Sequence, residues 1–110
     1  MVWRIQDSAT FEALRRSERR ARRGPVSVTY AAGESPSAPR IAYAVGKRVG
    51  KAVVRNRLRR RLRAAVSGLT GLEPGAYLVA ADPAAAGLSY EDLRTKVASA
   101  MTAASGERRR

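Results

Sequence analysis

The sequence predicts an α+β fold, a small sheet of three to four strands with helices. Two observations support this. Apolar residues recur at steps of three and four in three stretches, which is the spacing of helices packed on a core. Three shorter stretches are rich in β-branched or aromatic residues and end at glycine or proline, which is typical of strands. We place one domain at residues 1–106 and expect 107–110, a basic tail, to fray.

The elements are predicted in the order α-β-β-(β)-α-β-α, with one optional strand. The first helix begins at Asp7 or Ser8, ends near Ser17, and buries a small apolar face. Residues 19–23 form a basic link into Gly24-Pro25. Residues 26–30 alternate with period two, and residues 40–45 form a second strand after a loop rich in Gly, Pro and Ser. We expect these two strands to pair as a hairpin with a long tip.

The second half of the chain is predicted to contain two helices around one strand. Residues 51–66 are helical, and residues 76–81 form a strand that ends at Asp82-Pro83. Ser89 and Asp92 resemble a capping box that begins the last helix. The helices are expected to cover one face of the sheet and to leave the other open. The apolar stripes of these two helices are Val54, Leu58, Leu62, Ala65, Val66 and Leu69, and Leu93, Val97, Ala100, Met101 and Ala104.

The charge balance indicates a polyanionic partner. The formal net charge is +13, from 22 Lys and Arg against 9 Asp and Glu. A folded domain with this excess repels itself, and nucleic acid is the usual partner that offsets such repulsion. Of the 22 basic residues 19 are Arg, whose planar fork suits phosphates and bases.

The composition also excludes several classes of function. There is no Cys and no His, which excludes disulfides, thiol chemistry, zinc sites and His-based acid–base catalysis. No apolar run approaches 18 residues, and the first residues lack the apolar core of a signal peptide. We therefore expect a cytoplasmic protein with no membrane partner.

The basic residues concentrate between positions 40 and 63, where ten Lys or Arg occur and no acidic residue lies between Ser35 and Leu72. Solvated helix faces normally mix signs, because like charges one turn apart destabilise a helix. Arg55, Arg59 and Arg63 stand one turn apart without an acid to relieve them, so a phosphate backbone along this face would remove a stability cost. Gly50 and the free amides at the following helix start also favour phosphate. The candidate RNA-binding residues are Lys47, Arg48, Lys51, Arg55, Asn56, Arg57, Arg59, Arg60 and Arg63.

Residues 46–63 (GKRVGKAVVRNRLRRRLR) resemble the signature of the bacterial ribonuclease P protein family. That signature has a basic pair, a spaced Gly, Ala-Val, and an RNR element followed by further basic residues. Arg55, Asn56 and Arg57 match the RNR element. Weaker similarity extends from about residue 4 to 104, including Arg4-Ile5 and residues 77–79.

The resemblance implies the protein subunit of an endoribonuclease that removes the 5′ leader of precursor tRNA. It implies a left-handed β-α-β crossover, catalysis by an RNA that uses Mg²⁺, and binding of that catalytic RNA through the RNR helix. It also implies that Phe11 and Tyr30 line a cleft for the single-stranded leader, although a core role stays open for both. The positions of bound metal ions, and any metal ligands in the protein, stay unknown. Arg15 stands where many members have a second aromatic residue.

Three other interpretations are weaker. A ribosomal or general RNA-binding protein without a processing role explains the charge but not the motif. An enzyme that acts alone lacks an acid–base pair or metal cluster in this sequence. A membrane-surface protein would need the apolar stripe from Val54 to Leu69 on a lone helix, and this stripe is better used as core.

Overall fold

The structure is a computed structural model, and it describes residues 3–4, 8–32 and 39–106. The described chain forms five strands and three α-helices, with short 3-10 helices at Lys47–Val49 and Pro83–Gly87. The strands are β1 (Trp3–Arg4), β2 (Arg19–Arg23), β3 (Val26–Ala32), β4 (Arg40–Val45) and β5 (Gly75–Ala81). The helices are α1 (Ser8–Arg16), α2 (Ala52–Ser67) and α3 (Tyr90–Ser105). The expected frayed tail at 107–110 lies outside the described residues.

The strands form one mixed sheet in the order β1-β4-β5-β3-β2. The α+β class is confirmed, and the sheet has one strand more than the expected maximum. The expected hairpin of β3 with β4 is wrong, because β5 lies between them, antiparallel to β3 and parallel to β4. β5 is therefore the central strand of the sheet, with β4 on one side and β3 on the other.

The expectation that residues 19–23 form a basic link is also wrong, because these residues form the edge strand β2. β2 pairs with β3 in a hairpin with Arg23 opposite Val26. Gly24 takes a φ of +58° at the first central position of the turn, and proline follows it. A positive φ at this position is what a type II′ hairpin turn requires, and glycine adopts it without strain. The arginines of this stretch therefore lie along a strand.

The main core lies between one face of the sheet and the helices α2 and α3. Alternate residues of β3, β4 and β5 point into it, and the predicted apolar stripes of both helices face them. Leu58 and Leu62 of α2 are at most 1% exposed, and Leu93 and Met101 of α3 are fully buried. The predicted stripe of α3 is confirmed, and that of α2 is confirmed from Leu58 to Val66. Val54 lies outside this core, and Leu69 packs against it beyond the end of α2.

The opposite face of the sheet carries α1, so the expectation of helices on one face alone is wrong. Leu14 of α1 is 1% exposed and packs with Ala76 of β5, and Ala31, Ala42 and Leu78 border this contact. No described helix covers the rest of this face. We call that remainder the open face. It consists of Ser27, Ala44 and Ala80, with Leu78 at the border of the α1 contact; Thr29 points to the same side but is only 7% exposed.

The helix α2 connects the parallel neighbours β4 and β5 and so forms a β-α-β unit. Its left hand stays a prediction from the resemblance. α2 packs on the main-core face of the sheet. The side of α2 away from the sheet faces solvent. Among the described residues, no helix is long and apolar enough to cross a membrane.

The predicted cap of the last helix is confirmed, since the Ser89 side chain accepts a hydrogen bond from the Asp92 amide at 3.1 Å. We expect Ser89→Ala to lower the free energy of unfolding by about 1 kcal/mol, because it leaves this amide without its partner. Ser89→Asp keeps an acceptor and should be close to the parent. Urea denaturation of the three proteins tests this, and equal stabilities of the Ala and Asp variants would contradict it.

Candidate nucleic-acid interface

The segment before α2 brings three exposed cations to the start of the helix. Lys47 and Arg48 lie on the 3-10 helix, and Lys51 is the residue that precedes α2. Gly50 between them has a φ of +146°, a backbone conformation that other residues rarely adopt. The N-cap residue Lys51 makes no side-chain hydrogen bond to the first amides of α2. These amides and the three cations together form an anion-attracting end of the helix.

Two of the RNR-helix arginines are held in place by the backbone that leads into α2. Arg55 Nε donates to the Gly50 carbonyl at 3.1 Å. One terminal nitrogen of Arg59 donates to the Val45 carbonyl at 3.3 Å, and the other donates to Asn56 Oδ1 at 2.9 Å. A guanidinium has five N–H donors, so each keeps donors for a ligand. Asn56 thus orients Arg59, a role that the sequence alone does not indicate.

The other predicted cations of α2 point outward. Arg57 and Arg60 are exposed and make no hydrogen bond or ion pair within the described chain. Arg63 lies over the Tyr43 ring, with its guanidinium carbon 5.7 Å from the ring centroid. Burial raises the pKa of the Tyr43 hydroxyl, and the nearby Arg63 charge partly opposes that rise. Arg61, which was not predicted as a site residue, donates to the Leu88 carbonyl at 2.6 Å and so joins α2 to the start of α3.

The structure therefore brings all nine predicted RNA-binding residues to one helix and the turn before it. We call these residues the α2 surface. No acid occurs in this part of the sequence, so the positive charge of the surface has no counter-ion from its own segment. Such a surface attracts a phosphate backbone over several ångströms and can bind it through paired N–H donors.

Phe11 and Tyr30 do not share a cleft, and this part of the prediction is wrong for Tyr30. Phe11 is 40% exposed and lies on α1, the helix that packs on the side of the sheet opposite to the main core. Tyr30 is 4% exposed and belongs to the main core on the opposite side of the sheet. Its ring centroid lies 4.9 Å from that of Tyr77, and its hydroxyl donates to the Pro74 carbonyl at 2.5 Å.

Strand geometry explains the error, because successive side chains point to opposite faces. Val26 and Val28 face the main core, so Tyr30 at the same parity does too. Thr29, and not Tyr30, is the residue of this pair that points to the side of the open face. The alternation of residues 26–30 was visible in the sequence and could have decided this. Burial raises the pKa of Tyr30, against the opposing effect of Arg19, whose guanidinium carbon lies 4.7 Å from the ring centroid.

A metal site built by the protein does not fit the described residues. Among residues 3–4, 8–32 and 39–106, no group of three or more Asp, Glu, His or Cys side chains is placed to hold an ion. The Mg²⁺ that the resemblance implies is used by the RNA, so it does not require a donor set in this chain.

Comparison with known proteins agrees with the motif. A family model described as Ribonuclease P matches residues 2–105. The chain is 38% identical to the ribonuclease P protein component of Thermobifida fusca, over 91% of this chain and 74% of the relative. It is 39% identical to that of Salinispora tropica, over 97% and 93%. It is 40% identical to that of Micrococcus luteus, over 89% and 84%.

Solved structures with a similar fold carry the same name. The RNase P protein of Staphylococcus aureus superposes with a TM-score of 0.78 at 18% identity, covering 89% of this chain and 91% of that one. The RNase P protein of Thermotoga maritima gives 0.76 at 17% identity, covering 89% and 94%. The solved structures support the fold, and the family match and the relatives support membership of the same family. The chain belongs to the ribonuclease P protein family.

Proposed function

We propose that this chain is the protein subunit of ribonuclease P, an endoribonuclease, and that it binds the catalytic RNA through the α2 surface. The observation that carries the proposal is the RNR element, which the fold presents on an exposed helix with no acid in its segment. In this proposal the holoenzyme removes the 5′ leader of precursor tRNA in the cytoplasm. The chain itself contributes binding and not bond cleavage.

The geometry suggests how the α2 surface would bind RNA. Arg55 and Arg59 are already oriented by backbone carbonyls, so little side-chain freedom would be lost when they contact phosphate. Arg57 and Arg60 are free of internal partners within the described chain and would supply the remaining charge. Each contact would release a counterion from the RNA, so binding should weaken steeply as salt is raised.

The leader of the precursor would lie on the open face in this proposal. Its floor is made mostly of small side chains, which let a nucleic acid approach the sheet closely. Phe11, on the helix α1 that packs on this side of the sheet, has an exposed ring on which a base can stack. Arg15, one turn after Phe11, is exposed and ion-paired with Glu12 at 2.7 Å.

The chemistry of cleavage belongs to the RNA partner in this proposal. The described residues offer no His, Cys or acid cluster for it, and the Mg²⁺ of the reaction would be held by the catalytic RNA. The protein would lower the repulsion between two polyanions, which is a role that its charge of +13 suits.

The proposal predicts selective binding. We expect the protein to bind ribonuclease P RNA more tightly than ribosomal RNA of similar length at the same salt concentration, because Arg55 and Arg59 are held in fixed positions that suit one arrangement of phosphates better than another. Filter binding of both RNAs, with each as competitor for the other, measures this preference. Equal affinities would instead indicate a ribosomal or general RNA-binding protein.

A further inference from the structure

The edge strand β2 is a second basic feature that the α2 surface does not include. Residues 15–23 contain six arginines and one acid, Glu18. Charged side chains on an edge strand can serve simply to prevent pairing with another sheet. A single charge is enough for that purpose, so the density of arginine here calls for a further explanation.

The four arginines of β2 divide between the two faces of the sheet. Arg19 and Arg23 point toward α3, where Arg19 donates to the Ser105 carbonyl at 2.5 Å and Arg23 donates to Ser99 Oγ at 2.8 Å. These two hydrogen bonds connect the edge of the sheet to α3. Their positions are explained by the fold.

Arg20 and Arg22 point the other way. Arg20 pairs in register with Thr29, and Arg22 pairs with Ser27, so both stand beside the open face. Arg20 is exposed and makes no hydrogen bond or ion pair within the described chain. Arg22 forms an exposed ion pair with Asp82, which is its acidic partner at the end of β5. This pair would compete directly with a phosphate for the Arg22 guanidinium.

This edge is too far from the α2 surface to serve the same contact. β2 and β4 are separated by three strand spacings of about 4.8 Å each, so roughly 14 Å, and the predicted arginines of α2 lie on the β4 side. One RNA strand bound along α2 therefore does not reach β2 without crossing the sheet. The open face lies between the edge strand and the position of α1.

We propose that β2 is a second RNA-binding surface, at which Arg20 and Arg22 bind the sugar–phosphate backbone of the precursor RNA that lies on the open face. This inference rests on the proposed function, because it takes the occupant of the open face to be the substrate. The small residues of the open face admit the strand, and the two arginines supply the charge on the edge opposite to β4. Asp82 weakens this contact by holding Arg22.

The test uses holoenzyme reconstituted from the catalytic RNA and the full chain, with precursor tRNA as the ligand. Arg20→Gln should weaken precursor binding between about three- and tenfold, because one charge-assisted contact is lost. The salt slope of precursor binding should fall by about 0.7, the value for one phosphate of a single strand. Asp82→Asn should tighten binding and steepen the slope, because it releases Arg22. Arg94→Gln, which removes an exposed arginine of α3, should match the parent.

Binding of other RNAs, self-association and precursor cleavage separate the possible outcomes. Binding of the catalytic RNA alone, and of mature tRNA without a leader, should be unchanged in the β2 variants. If Arg20→Gln and Asp82→Asn both bind precursor like the parent, or if they change affinity for the catalytic RNA instead, the inference is wrong. If Arg20→Gln only increases self-association, the arginine protects the edge and the inference is also wrong. Failure of the parent itself to support precursor cleavage would instead contradict the proposed function.

Discussion

Tyr30→Ala is expected to lower the free energy of unfolding by about 3–5 kcal/mol, the range for losing a buried aromatic side chain. The ring is 4% exposed, packs at a tilted angle against Tyr77, and lies under the Arg19 guanidinium. Its hydroxyl also holds the Pro74 carbonyl just before β5. A domain of this size is stable by only about 5–15 kcal/mol, so this loss would be a large fraction. Urea denaturation monitored by circular dichroism measures it.

The same variant separates the core role of Tyr30 from a role in leader binding. At a temperature where Tyr30→Ala is still folded, we expect its affinity for precursor tRNA to rise with leader length as it does for the parent. Tyr30→Phe keeps the ring and loses one hydrogen bond, so it should cost only about 1 kcal/mol. A stable Tyr30→Ala protein that loses the benefit of the leader would contradict the placement of this residue in the core.

Local patterns were sufficient to predict the helices and one face of each. The stripes of α2 and α3 follow from apolar residues at steps of three and four, and the buried positions match them because the helices pack on a single sheet. The cap at Ser89 follows from two residues three positions apart. The α2 surface could be predicted for the same reason, because a run of like charges within one predicted helix can be recognised from the sequence alone.

Pairing of the strands could not be predicted in the same way. Nothing in residues 26–30 or 40–45 indicates that β5, thirty residues later in the chain, lies between them. β2 was missed because four arginines in five residues do not resemble a strand, and only the hairpin turn at Gly24 with backbone pairing to β3 makes it one. The face that Tyr30 occupies follows from the alternation of residues 26–30, whereas the resemblance to the family implies a place in the leader cleft.

The central claim is that the α2 surface binds the catalytic RNA, and the variant Arg57→Gln/Arg60→Gln tests it most directly. Both side chains are exposed and make no contact that holds the described structure together, so the fold should be unchanged. Arg55 and Arg59 are poorer probes, because they also bond to backbone carbonyls of Gly50 and Val45. Glutamine keeps the helix propensity. Arg94→Gln/Lys96→Gln removes the same charge from α3 and serves as the matched control.

The measurement is the affinity for ribonuclease P RNA as a function of salt concentration. We expect the α2 variant to bind on the order of a hundredfold more weakly, with about tenfold for each lost charge-assisted contact. Its salt slope should fall by about 1.4–1.8, which corresponds to two phosphate contacts. The α3 control should keep the slope and nearly all of the affinity. If the two double variants behave alike, or if the α2 variant keeps the parent's slope, then α2 is not the surface that binds the catalytic RNA.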